Sequence, residues 1–239
     1  MRTGLVLGML LAVAGCAAPS VSLPPPQAPG TQPAPAPVPP RQSGEMAARN
    51  FISVIETVEP VAERECRART SGVNCDFVIV VDDRREMPPN AFQTQDESGR
   101  PIVGFTLSLI AEARNTDELA FILGHETAHH ISGHIARARQ SAMGGAILAG
   151  VLASVGGANA AGVREAQNIG ATLGARQFSK SFELEADALG TVIAARAGYD
   201  PVHGAQYFTR SPDPGNRFLG THPPNADRIA TVRRVAAGL

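Results

Sequence analysis

The sequence predicts an α+β architecture, a mainly helical domain with a small β-sheet near its N-terminal end. Three features of the 239 residues carry this reading. Strand signals are confined to residues 77–109, where compact β-branched runs sit between turn residues. From Thr116 onward those signals stop and apolar residues recur at helical spacing. A further helical stripe, from Phe51 through Val54 and Val58 to Cys66, precedes the strands, so a small sheet stands ahead of a helical body.

Taken in chain order, residues 1–15 read as a secretory signal peptide. Arg2 precedes an apolar run over residues 5–13, shorter than the roughly 20 residues a membrane-spanning helix needs. Val13-Ala14-Gly15-Cys16 resembles a bacterial lipobox, which predicts lipidation of Cys16 and a new N-terminus there. Ala17 stands where an Asp would resemble an inner-membrane retention signal, so the expected place is the outer membrane, facing the periplasm. Residues 16–40 hold ten of the 19 prolines and no charge, the composition of an extended tether. Residues 41–239 then form the single expected domain.

Within that domain, residues 45–69 predict a helix kinked at Pro60. Residues 77–81 and 101–107 predict strands, and Asn90-Ala91-Phe92 a further edge strand. Thr116 suits the N-cap of a helix running from Asp117 to about Ile131. Helices follow over residues 142–155, 163–196, 201–209 and 225–236. In the first of these, Met143, Ile147, Leu148, Val151, Leu152 and Val155 form a stripe that predicts packing on the domain or cover for the site, in preference to membrane insertion.

Composition excludes some functions. Lys plus Arg is 21 against Asp plus Glu 22, and no basic stripe offers phosphate neutralisation, so no nucleic-acid partner is expected. With no Trp and 2 Tyr there is little surface for stacking on bases. The 3 Cys are an odd number for an exported chain; with Cys16 lipidated, Cys66 and Cys75 remain as a pair that an oxidising compartment would let bond.

The chemistry concentrates in His125-Glu126-Thr127-Ala128-His129, a His-Glu-x-x-His pattern inside a helical segment. Positions i and i+4 share a helix face, so the two imidazoles converge as ligands for one zinc ion per chain. Glu126 stands about 100° round the helix from His125, within reach of a water as general base. Two imidazoles and a water leave a catalytic zinc one protein ligand short. The long extension with Gly three and His six residues after the second His is ruled out, because Ser132 and Ile135 occupy those positions. His130 and His134 predict solvated or capping roles. Glu183 and Asp187, four apart in Phe182-Glu183-Leu184-Glu185-Ala186-Asp187, face the same way. One carboxylate of that pair would bind metal while the other accepts an imidazole N–H; the alternative is the solvated face of an ordinary helix.

His125 to His129 followed by Glu183-Leu184-Glu185-Ala186-Asp187 resembles the gluzincin metallopeptidases of the HtpX and CAAX prenyl protease family, particularly its periplasmic members. The resemblance runs from about Glu45 to the C-terminus. It implies Glu183 as third zinc ligand, Asp187 as the partner of a ligating imidazole, and Asn90-Ala91-Phe92 as an edge strand along which a peptide substrate adds. Thr221-His222-Pro223, with Arg228 six residues after the His, resembles the family's late His-Pro element. The implied roles are oxyanion stabilisation by His222 and Arg228, or capping of the zinc by His222 in a latent state.

The resulting expectation is a zinc-dependent endopeptidase, lipid-anchored in the bacterial envelope, acting on misfolded or stalled envelope proteins, with envelope assembly machinery as a further partner. A latent protease serving mainly as a chaperone-like or adaptor lipoprotein is the competing expectation, and a zinc-stabilised structural lipoprotein a third.

Overall fold

The computed structural model describes residues 40–177, 179–215 and 222–239. Residues 1–15, Cys16, the tether up to residue 39, and Thr221 lie outside the described residues. Helix α1 (Gly44–Arg69) opens on Ser43, whose hydroxyl accepts from the Met46 N–H, and ends with Arg67 and Arg69 in its last turn, where cations suit the helix dipole. It continues through Pro60 without interruption. Pro60 and Glu56 are both exposed, so the carbonyl that loses its helical donor faces water.

The strands are β1 (Val78–Asp82), β2 (Ala91–Gln95) and β3 (Pro101–Thr106). They form one sheet in the order β1-β3-β2, with β3 parallel to β1 and antiparallel to β2. β2 is therefore an edge, but it runs from Ala91 to Gln95 and not over Asn90-Ala91-Phe92, because Asn90 is tied to Thr106 where the chain enters the strand. Helix α2 (Leu107–Glu112) follows β3 at once; its six residues are too few to show a period, which is why the sequence did not reveal it. Helix α3 (Thr116–Ile131) starts one residue earlier than expected, because Asn115 rather than Thr116 is the cap and accepts from the Glu118 N–H.

The core joins α1, β3, α3 and a later helix, α6 (Ser179–Arg196). Phe51 and Phe105 meet at 4.9 Å between ring centroids, and Val54, Val58, Leu119, Leu123 and Ile193 close around them with no exposed surface. Each such side chain contributes about 1.5–3 kcal/mol of burial. The disulfide between Cys66 and Cys75 ties the end of α1 to the loop before β1. Residues 39–239 form one unit, and its buried core is drawn from residues 47–232, so a chain starting at Pro39 contains all of it.

Between α3 and α6 the chain makes an antiparallel hairpin of α4 (His134–Val155) and α5 (Ala160–Gln177). A Cβ at Gly145 would lie 2.1 Å from the Gly170 carbonyl, and one at Gly174 2.1 Å from that of Ser141, so the two helices touch backbone to backbone. The stripe on α4 is not packed on the domain, contrary to the sequence expectation: Met143, Ile147, Leu148, Val151, Leu152 and Val155 are all exposed. The small residues hold the seam, which leaves the large ones facing outward. The chain ends with α7 (Pro201–Gly204), a 3-10 turn (Ala205–Thr209) and α8 (Asn225–Ala236).

Candidate metal centre

Glycines set the distance between the two helices that carry the motif residues. A Cβ at Gly124 would lie 2.8 Å from the Gly190 carbonyl, and one at Gly190 would lie 2.8 Å from the His125 nitrogen. This close crossing of α3 and α6 brings the His-Glu-x-x-His face beside Glu183 and Asp187. Ligand atoms of His125, His129 and Glu183 fall within 4.8 Å of one another, the only such group of three or more among the described residues. His125 Nε2 lies 3.0 Å from His129 Nε2, and the Glu183 oxygens stand 3.6 and 3.4 Å from the two nitrogens.

The hydrogen-bond partners fix which imidazole nitrogens are free. Asp187 lies at 2.9 Å from His125 Nδ1 and, as an acceptor, places the proton there, leaving a lone pair on Nε2. His129 Nδ1 meets His134 Nδ1 at 2.8 Å, while His134 Nε2 meets Glu185 at 3.2 Å. Glu185 accepts from His134 Nε2–H, so His134 Nδ1 accepts in turn from His129 Nδ1–H, again freeing Nε2 for a ligand. Two imidazole lone pairs and a carboxylate converging on one point are the donor set that zinc takes, so the residues fit the ion the sequence implied.

Electrostatics separate the roles. Desolvation opposes ionisation of Glu183, yet the His222 hydrogen bond and the neighbouring His125, Arg228 and His129 outweigh it and hold the carboxyl at about 2. Asp187 is likewise desolvated and still lowered, by hydrogen bonds from Arg228 and His125. Burial pushes His129 down to about 3 and keeps it neutral. At His125 desolvation works the same way, but the bond to Asp187 overrides it and raises the pKa, which makes the ring a better donor. Glu126, partly exposed yet deep in the groove, is pushed up to about 7, mainly by desolvation, with Glu183 adding and His125, Arg228 and His222 opposing.

The expected late residues also return here. Arg228, buried on α8, donates from Nε and Nη2 to the two Asp187 oxygens at 2.8 and 2.6 Å, with its guanidinium 3.9 Å from the Phe208 ring centroid. Its first placement is therefore on Asp187. His222 is half exposed and has Nδ1 3.0 Å from Glu183 Oε2. A cleft of about 340 Å³ opens over these groups, and Asn90 and Ala91 line its rim. Phe92 does not: its ring lies over Gly104 on the sheet, filling the space a side chain there would take.

Two histidines differ from the sequence expectation. His134 is buried rather than solvated and holds His129. The signal was Ser132-Gly133: Gly133 has φ +65°, so the helix stops and the chain turns back, which a continued helix would not allow. His130 is buried too. Its Nε2–H donates to the Asn74 carbonyl at 2.7 Å, and its Nδ1 accepts from Gln95 at the end of β2. His203 pairs with Asp117 at the start of α3, away from the cleft.

The sequence profile of peptidase family M48 matches residues 49–236. The chain belongs to peptidase family M48. The resemblance to metallopeptidases seen in its motifs is thereby borne out. A protein of Vibrio cholerae named as a beta-barrel assembly-enhancing protease is 36% identical over 141 residues, 54% of this chain and 29% of that one. The beta-barrel assembly-enhancing protease of Escherichia coli K12 is 31% identical over 146 residues, again 54% and 29%. The mitochondrial metalloendopeptidase OMA1 of Arabidopsis thaliana is 31% identical over 132 residues, 53% and 26%. The match thus spans less than a third of the length of each of these relatives. No helix among the described residues is long and apolar enough to cross a membrane.

Proposed function

We propose that this M48 member is a zinc-dependent endopeptidase of the bacterial cell envelope that hydrolyses peptide bonds of misfolded or stalled envelope proteins. The observation that carries the reading is the convergence of two Nε2 lone pairs and the Glu183 carboxylate beside Glu126, in a cleft bordered by a sheet edge. His125, His129 and Glu183 would hold the zinc, which when bound supplies Lewis-acid polarisation of the scissile carbonyl and acidifies water. A substrate strand adds along the open edge of β2 from Ala91 onward, since Asn90 precedes the strand and its N–H and carbonyl are both bonded to Thr106. Glu126, poised at about 7, takes a proton from the attacking water and returns it to the leaving amine. Asp187 orients His125, and Arg228 holds Asp187 while its positive charge, with His222, stabilises the oxyanion.

The supporting experiment is cleavage of an unfolded model protein by zinc-loaded residues 39–239 against Glu126→Gln. Cleavage by the parent, lost in the variant at unchanged zinc content, is expected; cleavage that survives Glu126→Gln would sink the assignment. Lipidation of Cys16, with the protein at the outer membrane facing the periplasm, is part of the same proposal. Mass spectrometry of the mature N-terminal peptide without acyl groups would refute it. The relatives named for beta-barrel assembly suggest envelope assembly machinery as the partner of this chain too.

The His222 contact with Glu183 favours a second reading, a latent protease acting mainly as a chaperone-like or adaptor protein. Under that reading His222→Ala raises cleavage; unchanged or reduced cleavage would dismiss it.

A further inference from the structure

The α4–α5 hairpin presents a large apolar surface to which no activity of the metal centre assigns a use. On α4 the exposed side chains at 143, 147, 148, 151, 152 and 155 form one stripe, with Val155 83% exposed beside the turn. On α5 the exposed Ile169 and Leu173 each precede a seam glycine by one residue and extend the same face. Soluble monomers seldom expose contiguous apolar patches beyond a few hundred Å² unless something binds there.

Charge identifies the occupant. From Gln140 to Val163 there is no charged residue, a span that includes the whole stripe and the turn. The hairpin's charges are Arg137, Arg139, Arg164, Glu165 and Arg176, a net of +3 in a chain whose total is -1. Ser141 abuts Gly174, so Arg139 and Arg176 stand level at the base, about 25 Å from the turn at 1.5 Å per residue. Arg164 lies about 140° round α5 from Ile169, off the apolar face. An uncharged face bounded at its base by arginines matches acyl chains bordered by phosphates. Arg137 is already held by Glu185 at 2.8 Å, so Arg139 and Arg176 are the cations left at the base to meet phosphate.

We propose that the α4–α5 hairpin is a bilayer-docking element, its apolar stripe lying in the interface of an anionic membrane and Arg139 and Arg176 at its base on lipid phosphates. It lies on the membrane and does not span it, in keeping with the absence of a crossing helix among the described residues. The inference is independent of the peptidase reading and of lipidation at Cys16.

The test is co-sedimentation of residues 39–239, which lack the leader and Cys16, with vesicles of phosphatidylglycerol and phosphatidylethanolamine, and with phosphatidylcholine vesicles alone. Binding to the anionic vesicles that weakens with salt is expected, with little on phosphatidylcholine. Ile147→Asp combined with Val151→Asp should weaken it at least about tenfold. Both positions are exposed, so the melting temperature should not move and misfolding is separable from lost docking. Arg139→Glu with Arg176→Glu should abolish the preference for anionic lipid. Absence of vesicle binding, binding unaffected by the paired Asp substitutions, or a stable dimer disrupted by them in place of lipid binding would each overturn the proposal.

Discussion

Substituting Gly190 by Ala tests whether the crossing of α3 and α6 builds the metal centre. The new methyl would sit 2.8 Å from the His125 nitrogen, 2.9 Å from its Cα and 3.0 Å from the Gly124 carbonyl carbon. All three are backbone atoms of a buried helix, so no side chain can swing away. Ordinary carbon contacts begin near about 3.5 Å, so the helices must part by roughly 0.6 Å or more. Zinc sites tolerate only about 0.2 Å in ligand distance. Glu183 and Asp187 travel with α6 while His125 and His129 stay on α3, so the shift falls directly on the ligand set. The expected cost is about 1–3 kcal/mol of stability from overpacking, and a loss of zinc affinity on the order of 10- to 100-fold. The assay is competitive zinc titration against a chromogenic chelator, paired with thermal melting followed by circular dichroism. Gly144→Ala is the control: nothing lies within 4 Å of its Cβ position in α4, so it should stabilise by about 0.5–1 kcal/mol and leave zinc binding alone. Full zinc affinity in Gly190→Ala would refute the claim that this close approach sets the geometry.

Two further outcomes follow from contacts outside the centre. Cys66 and Cys75 are nine residues apart and close a small loop under α1, so Cys66→Ala with Cys75→Ala should lower stability by about 2–3 kcal/mol in chemical denaturation; an unchanged midpoint would mean that the loop is ordered without the bond. Glu65, buried on α1, is desolvated, but hydrogen bonds from Arg69 and from Arg196 of α6 override this and lower its pKa below 4.5. A lowered carboxylate contributes stability above its unfolded pKa and loses it as pH falls through the folded value. Glu65→Gln should therefore cost about 1–2 kcal/mol at pH 7, with the difference shrinking below pH 4.5; a difference that persists or grows in acid contradicts the ion-pair account.

The parts of the molecule that were legible in its sequence are those encoded by short-range spacing. His125 and His129 at i and i+4, Glu183 and Asp187 at the same interval, and the β-branched runs of β1 and β3 each declare a local geometry that tertiary structure then uses unchanged. What was hidden depends on contacts between distant segments. Gly124 and Gly190 matter only because two helices far apart in the sequence cross at them. The α4 stripe announced a shared face, but periodicity says only which side chains point together, never what covers them. His134 was misplaced because a single left-handed glycine, Gly133, converts an assumed continuous helix into two, and turns a ring expected in solvent onto His129.

That turn also explains how the hairpin can interrupt the domain without loosening the centre. The chain departs at His134 and returns at α6, and between those points the seam of Gly145, Gly170 and Gly174 makes the hairpin a self-contained excursion. Its base is fastened twice: His134 bonds His129 and Glu185, and Arg137 reaches the same Glu185 oxygen at 2.8 Å. His134 further stacks on Phe182 at 4.5 Å, the residue preceding Glu183. The first turn of α4 is thus part of the support for both His129 and Glu183, whereas everything beyond Ser141 is free to carry a surface chosen for another purpose. An arrangement of this kind separates two demands on one segment of sequence: its first turn answers to the geometry of the ligands, and its apolar far end answers to whatever the protein docks against.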